Sequence, residues 1–423
     1  MMTIIYTVII SFCLLLNRMI FKNFFNYLNI FLIIWYTAAV LSMKGFYNFT
    51  IPSMKTYIYI LIVLVFLEVF SIIFLRITIK RDNNEKKIKC NYCLKYKITY
   101  ILSACVTIIM IPTTIKGCNI LLKYGFGYLR NIGFTLELYT SYEKIFLVYI
   151  AKPLNIALLI YSIIDLIDNK KIKINFILCL LNVIQYILTF GGRAALLEIV
   201  LLTGIAIIDK YNANIYIAIK NNKKVILFSA IFLVFIVYIT SQRSLNKNAG
   251  FLFNFYSYYV GSIHLFGINL DNPSMSLLDG RHLLYGKEMF NSIIEFINIF
   301  GSVFRISLPT GIEQVNQVTQ QYRYVSPNVQ MNNNVTMIYA FLRDFDLYGL
   351  IIGPCVIALI YAITYKTNKK EGRIQDRAVY YYLLSQLPYF LFEFVLAKGS
   401  IVFTIGAILL LSRIILKKQI QNI

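Results

Sequence analysis

Several long apolar runs of this chain end in a cation, and together these cations could hold an anion. Gly191-Gly192-Arg193 separates two apolar runs, Arg243 follows a third, Arg343 precedes a fourth, and Lys116 lies near the end of a fifth. A guanidinium matches phosphate oxygens, and the N–H groups at a helix N-terminus add to the attraction. Cations at one depth therefore indicate a lipid-linked phosphate or pyrophosphate. The alternative for each is an interfacial side chain that only anchors a span.

The candidate proton acceptors lie in one polar segment, residues 240–349. It contains both histidines of the chain, His264 and His282, together with Asp344 and Asp346. A hydroxyl nucleophile needs an acceptor for its proton, and an imidazole or a carboxylate can serve. The alternatives are a hydrogen-bonded polar histidine with no catalytic role and an ion pair between Asp344 and its neighbour Arg343.

The cysteines predict no metal site. The chain has 7 of them, and only Cys90-x-x-Cys93 has the spacing of a metal-binding pair. Because a structural zinc ion takes four ligands and no second pair or nearby histidine follows, we expect neither a metal nor a cofactor.

An aromatic cluster lies early in the polar segment. Such rings can stack on sugar faces, and we interpret Tyr259 as one that binds substrate. The alternative is an aromatic belt at the membrane interface. The cluster consists of Phe251, Phe253, Phe255, Tyr256, Tyr258 and Tyr259.

The composition predicts an all-α polytopic membrane protein. Of the 423 residues, 59% are hydrophobic, and the net charge is +22. Apolar runs recur at about the 20 residues that a membrane-spanning helix needs, so we expect about eleven spans in a single membrane domain, residues 1–423. The predicted spans are 3–17, 27–43, 57–78, 98–121, 145–166, 175–190, 194–209, 225–240, 348–365, 378–396 and 401–416.

The distribution of charge predicts the orientation of these spans. Loops rich in Lys and Arg alternate with other loops, and cytoplasmic loops carry such an excess. The pattern places the C-terminus in the cytoplasm, the N-terminus outside, and residues 241–347 outside as one large segment. The excess of Lys and Arg in cytoplasmic loops is the ordinary bias of a membrane protein and does not indicate nucleic acid, whereas this rule gives no reason for the cations predicted outside.

Two parts of the external segment have recognisable patterns. Residues 287–306 repeat apolar side chains at helical spacing, which predicts an amphipathic helix that lies on the membrane or caps the bundle. Residues 309–334 are polar and rich in turn-forming residues, which favours a mobile loop.

These features together resemble the bacterial oligosaccharide repeat-unit polymerases, the Wzy-type O-antigen polymerases. The resemblance covers roughly residues 190–355 and the layout of many spans with one large external loop. Asp346 stands where the family's Asp-Phe-Gly element has glycine. The matching segments are Gly191-Gly192-Arg193-Ala194-Ala195-Leu196-Leu197, Tyr259-Val260-Gly261-Ser262-Ile263, Gly286 with Met289-Phe290, Asn334-Val335-Thr336, Asp344-Phe345 and Gly349.

The resemblance implies a glycosyltransferase of the bacterial inner membrane that polymerises undecaprenyl-pyrophosphate-linked oligosaccharide into a surface polysaccharide. It implies that Arg193 and Arg243 stabilise the leaving pyrophosphate and that Asp344 or His264 accepts the proton. Arg343, Lys116, His282 and Tyr259 would bind substrate. The expected partners are the lipid-linked oligosaccharide, membrane lipid, a flippase and a chain-length regulator.

Two other functions fit the same residues. An O-antigen ligase-like glycosyltransferase would use the same donor with a different acceptor. A lipid-linked oligosaccharide flippase would move the substrate without forming a bond, although we find none of the internal repeats typical of transporters.

Overall fold

The protein is almost entirely helical in its computed structural model, which describes residues 2–79, 91–135, 137–170, 172–211, 214–243, 250–301, 308–332 and 335–419. Five helical segments are long and apolar enough to cross a bilayer, so the chain is a membrane-embedded helical protein. They are Met2–Phe21, Met54–Ile77, Tyr96–Gly133, Ser141–Asn169 and Thr336–Lys370.

The chain forms two compact units, each assembled from separated segments of sequence. The first unit contains Met1–Glu85, Leu252–Lys366 and Gln386–Gly399, and the second contains Lys86–Phe251, Thr367–Ser385 and Ser400–Ile423. The four cations that the sequence predicts as one anion site are therefore divided. Lys116, Arg193 and Arg243 belong to the second unit, and Arg343 belongs to the first.

The first unit packs helix α11 (Phe251–Asp271) against the hairpin formed by α2 (Tyr27–Ser42) and α3 (Met54–Ile79). The Tyr259 hydroxyl donates to the carbonyl of Ile34 at 2.9 Å, and a Cβ on Gly267 would lie 2.7 Å from Pro52. Glycine thus lets α11 approach the start of α3 closely. The helices of this unit are α1 (Met2–Phe21), α2 (Tyr27–Ser42), α3 (Met54–Ile79), α11 (Phe251–Asp271), α12 (Asn291–Gly301), α13 (Gly311–Thr319), α14 (Thr336–Phe345) and most of α15 (Gly349–Glu371), with a hairpin of β2 (Arg323–Ser326) and β3 (Val329–Met331).

The second unit is built around the packing of α4 against α7. Thr107 of α4 donates to the Asn182 side chain of α7 at 2.6 Å, and Gln185 donates to the Thr107 carbonyl at 3.1 Å. Such polar contacts join apolar helices where water cannot compete. The elements of this unit are β1 (Asn91–Leu94), α4 (Tyr96–Thr135), α5 (Ser141–Ile145), α6 (Lys152–Asn169), α7 (Ile174–Phe190), α8 (Ala194–Lys210), α9 (Ile215–Asn221), α10 (Lys223–Arg243), α16 (Ile374–Gln386), α17 (Gly399–Ile415) and β4 (Leu416–Gln419).

Close packing of α4 on α7 requires glycine at position 117. A Cβ there would lie 2.0 Å from the Leu188 carbonyl oxygen, which no side chain can occupy. We expect Gly117→Ala to lower the thermal midpoint of the detergent-solubilised protein, by the equivalent of roughly 1–3 kcal/mol for overpacking. Gly204→Ala is the matched control, because no described atom lies within 4 Å of its added Cβ. Equal midpoints for the two variants would contradict this packing.

Three predicted features of the chain differ in the structure. Residues 378–396 are not one continuous helix: α16 ends at Gln386, and short 3₁₀ turns follow from Leu387, because Pro388 has no N–H to continue the helical pattern. The segment 241–347 contains more than the one amphipathic helix predicted for it, since α11, α13 and α14 also lie among its described residues. Residues 309–334 include α13 and the β2–β3 hairpin among those described.

The amphipathic helix is confirmed over part of its predicted length. It is α12, Asn291–Gly301, and residues 302–306 lie outside the described part of the chain. Its apolar side chains at helical spacing are exposed, and its polar side is fixed by Glu295, which accepts from the Gly399 N–H at 3.0 Å. The exposed apolar side chains are Ile293, Phe296, Ile297 and Phe300.

Candidate functional site

The turn before Arg193 has a backbone that only glycine adopts without strain. Gly191 ends α7 with a φ of 62° in the left-handed region, and its N–H donates to the Ile187 carbonyl at 2.8 Å. A Cβ on Gly191 would also lie 2.8 Å from the backbone nitrogen of Arg130. Conformation and space both require glycine here, and the turn therefore fixes the direction in which α8 begins.

Arg193 lies at the N-terminus of α8, where backbone N–H groups have no acceptors within the helix. The side chain is half-buried, and its Nη1 donates to the Thr240 hydroxyl of α10. That contact joins the start of α8 to α10. An anion held by Arg193 at this helix N-terminus stays a prediction from the sequence.

Lys116 and Arg243 are the other two residues of this unit that the sequence predicts at the anion site, and they differ in what is known of their contacts. Lys116 forms an ion pair with Glu143, at 2.7 Å from Oε1, and Glu143 completes a capping box with Thr140 at the start of α5. The charge of Lys116 is thus matched locally. Arg243 is the last residue of α10, but its side chain lies outside the described part of the structure, so its catalytic role stays a prediction.

In the first unit, Arg343 holds the loop between α11 and α12. Its side chain is 2% exposed, and Nη1 donates to the carbonyls of Leu277 at 2.7 Å and His282 at 2.9 Å. One turn earlier on α14, the Tyr339 hydroxyl donates to the Ser276 carbonyl at 2.6 Å. Arg343 therefore braces this loop and does not lie open to solvent as an interfacial cation would.

Asp344 holds the end of the same loop from the neighbouring position. Its side chain is 0% exposed, and its two oxygens accept from the N–H groups of Glu288 at 3.1 Å and Met289 at 2.7 Å. These N–H groups belong to the turn that leads into α12, so Asp344 acts as a helix cap supplied from another part of the chain. With both oxygens engaged, Asp344 is poorly placed to accept a substrate proton.

Backbone conformations of high energy cluster around this contact. Leu277, Tyr285 and Asp346 have φ values of 55°, 49° and 48°. A side chain at positive φ costs on the order of 1–3 kcal/mol and persists only where its surroundings impose it. Asp346 therefore has a backbone conformation that favours glycine, which is the residue that the family resemblance predicts at this position.

His264 and Tyr259 connect α11 to its neighbours. His264 is 0% exposed, with Nδ1 at 2.8 Å from the Thr50 carbonyl and Nε2 at 3.3 Å from the Tyr256 hydroxyl. Burial lowers its pKa to about 4, so the imidazole is neutral, and both nitrogens are used. We therefore do not retain His264 as the proton acceptor.

The two predicted substrate-binding residues Tyr259 and His282 differ in exposure. The Tyr259 hydroxyl is bound to α2, at 2.6 Å from the Thr37 hydroxyl, whereas the His282 side chain is exposed.

Sequence reasoning missed Glu288, the most perturbed acid of the loop. Its side chain is 7% exposed, and its Oε2 is enclosed without a hydrogen-bond partner among the described residues. Burial, and next the nearby Asp344 carboxylate, raise the pKa of Glu288 to about 8. No spacing in the sequence distinguishes it from Glu295 or Glu313; only the fold shows that it is enclosed.

Some predicted features fall outside the described residues, including Cys90 of the cysteine pair and Asn334 of the family motif. Within the described ranges, no group of three or more His, Cys, Asp or Glu side chains is placed to hold a metal ion. Comparison of the chain with protein-family models, curated proteins and solved structures found no match.

Proposed function

We propose that the protein is a glycosyltransferase of the bacterial inner membrane that polymerises undecaprenyl-pyrophosphate-linked repeat units on the outer face. The observation that carries the proposal is Arg193 at the N-terminus of α8, on a turn where Gly191 is required by conformation and by space. An arginine at the N-terminus of a helix suits a diphosphate, the group that leaves in this reaction, because the free backbone N–H groups and the guanidinium both attract anions. The order of motifs along residues 190–355 supports the same assignment.

The chemistry needs charge stabilisation more than it needs a cofactor. As the sugar–phosphate bond breaks, negative charge grows on the leaving diphosphate, and a cation held in place before the reaction stabilises it without reorganisation. In the proposed topology about eleven spans cross the membrane, with the N-terminus outside and the C-terminus in the cytoplasm, which puts the turn at Arg193 on the outer face. A flippase would supply the lipid-linked unit, and a chain-length regulator would set the product size.

The test is the length of polymer made by Arg193 variants. We expect Arg193→Ala to lower polymer formation by roughly 10²–10³-fold, the usual loss for one preorganised donor to a developing charge. Arg193→Lys keeps the charge without the planar fork and should retain intermediate activity. The assay follows the polymer ladder made from lipid-linked oligosaccharide in membranes with equal amounts of each variant.

The control is Lys123→Ala, which removes an exposed cation from the same unit and should leave the ladder unchanged. Long polymer from correctly assembled Arg193→Ala protein would reject the assigned role. A single addition to a different acceptor would indicate a ligase-like enzyme, and transport without any new glycosidic bond would indicate a flippase.

A further inference from the structure

Two buried polar atoms of the first unit, one an acceptor in the loop between α11 and α12 and one a donor on α14, have no hydrogen-bond partner among the described residues. They are Glu288 Oε2 and Arg343 Nε, and both are enclosed. Arg343 lies near enough for its charge to oppose the rise in the Glu288 pKa. Buried polar atoms are rarely left unpaired, and a pair of this kind indicates a place for a further polar group.

The backbone that carries Glu288 is held from two sides. Asp344 accepts the N–H groups of Glu288 and of the next residue, as described above. From the other side, a Cβ on Gly311 would lie 2.4 Å from the Glu288 nitrogen, so the N-terminus of α13 packs directly on this peptide. The carboxyl group therefore starts from a fixed position, which is what a group that must meet a substrate atom requires.

The charges around Glu288 are mostly negative. Asp344 of α14, Glu393 of the turn before α17 and Glu295 of α12 all raise its pKa, and Arg343 alone among its named neighbours lowers it. Glu295 is committed to the Gly399 N–H, and Glu393 pairs with Lys398 at 2.5 Å. Glu288 therefore combines, among the described residues, a buried carboxyl oxygen without a hydrogen-bond partner and an affinity for a proton near neutral pH.

We infer that Glu288 accepts the proton of the attacking hydroxyl on the acceptor sugar, while Arg343 Nε–H donates a hydrogen bond to the same oxygen. This inference rests on the proposed function. The acceptor oxygen forms a bond to the anomeric carbon of the growing chain, and the bond from that carbon to the diphosphate oxygen breaks. The electron pair leaves with the diphosphate, and the hydroxyl proton passes to the Glu288 carboxylate, so atoms and charge balance.

The ionised form of Glu288 must carry out this step, which sets the direction of the pH dependence. With a pKa of about 8, most molecules hold a neutral Glu288 at pH 7. The polymerisation rate should therefore rise with pH and level off above about pH 8. Since this buried acid binds its proton more tightly in the folded than in the unfolded state, thermal stability should fall as the pH rises from about 4.5 to about 8.

The experiment compares Glu288→Gln with the full-length wild type in nanodiscs. The substrate is lipid-linked oligosaccharide extracted from a strain of the source that lacks this gene. We expect Glu288→Gln to lower the rate by roughly 10²–10⁴-fold and to abolish the rise with pH. Its thermal midpoint should match that of the wild type near pH 5 and exceed it at pH 9. Glu313→Gln, which alters an exposed acid of α13, is the control and should keep the wild-type rate and pH profile.

Each outcome separates this inference from the proposed function. If the wild type polymerises and Glu288→Gln does so equally with the same pH profile, the inference is wrong and the enzyme assignment stands; the enclosed atoms then hold only a structural water. If Glu288→Gln loses activity and its midpoint falls at every pH, the residue is structural and the inference again fails. If the wild type forms no glycosidic bond under conditions where it is folded, the proposed function itself is wrong.

Discussion

Replacing Asp344 by asparagine is expected to release the loop between α11 and α12. The carboxylate accepts two backbone N–H groups, and asparagine would turn a donor toward one of them while removing the negative charge. Leaving a buried N–H unpaired costs roughly 1–3 kcal/mol, and more when the lost acceptor is charged. We therefore expect a large fall in the thermal midpoint and faster tryptic cleavage after the exposed residues Arg281 and Lys287.

The matched control for this prediction is Asp346→Asn, two residues later. Asp346 has a φ of 48° and a ψ of −139°, a backbone conformation that strains aspartate and asparagine alike, so this variant should be as stable as the wild type. The measurement also decides between two roles for Asp344. A variant Asp344→Asn that keeps its stability and protease resistance but forms no polymer would restore Asp344 as the proton acceptor.

The positions of most long helices could be predicted because a long apolar run can be recognised from consecutive residues, without knowledge of contacts elsewhere in the chain. The predicted runs 27–43, 175–190 and 194–209 correspond to α2, α7 and α8 within a few residues. Helix α11 was missed because its asparagine, serine, histidine and tyrosine residues interrupt the apolar pattern, although the fold buries nearly every residue of its C-terminal half. The break after Gln386 was missed because a proline inside an apolar run can equally accompany a kinked span.

The candidate site was less predictable because its contacts join distant parts of the chain. The guanidinium of Arg193 could be placed at a helix N-terminus from the two preceding glycines alone. In contrast, Arg343 contacts carbonyls more than sixty positions earlier, since it is 66 residues from Leu277 and 61 from His282. A sequence shows the type of such a side chain but not its burial, so the bracing contacts of Arg343, predicted to bind substrate, and of Asp344, predicted as a proton acceptor, could not be foreseen.

Replacing Arg343 by methionine is expected to lower the stability of the protein strongly, because Arg343 holds the loop between α11 and α12. The change leaves the carbonyls of Leu277 and His282 without this donor and removes a cation whose charge acts on both Glu288 and Asp344. Removing one partner from a set of buried charges typically costs about 3–5 kcal/mol. We expect a loss of this order in the thermal midpoint, with Arg281→Met, which alters an exposed arginine of the same loop, remaining close to the wild type.

The loss caused by Arg343→Met should depend on pH and on Glu288. Without the guanidinium, ionising Glu288 becomes still less favourable, so the variant should lose more stability above about pH 8 than below it. Adding Glu288→Gln removes the charge that the missing cation opposed, and the double variant should therefore regain stability relative to Arg343→Met at pH 9 but gain little at pH 5. A double-mutant cycle measured at both pH values tests this coupling. Strictly additive effects at pH 9 would mean that the two buried atoms do not share one environment, and the acceptor site built on them would have to be abandoned.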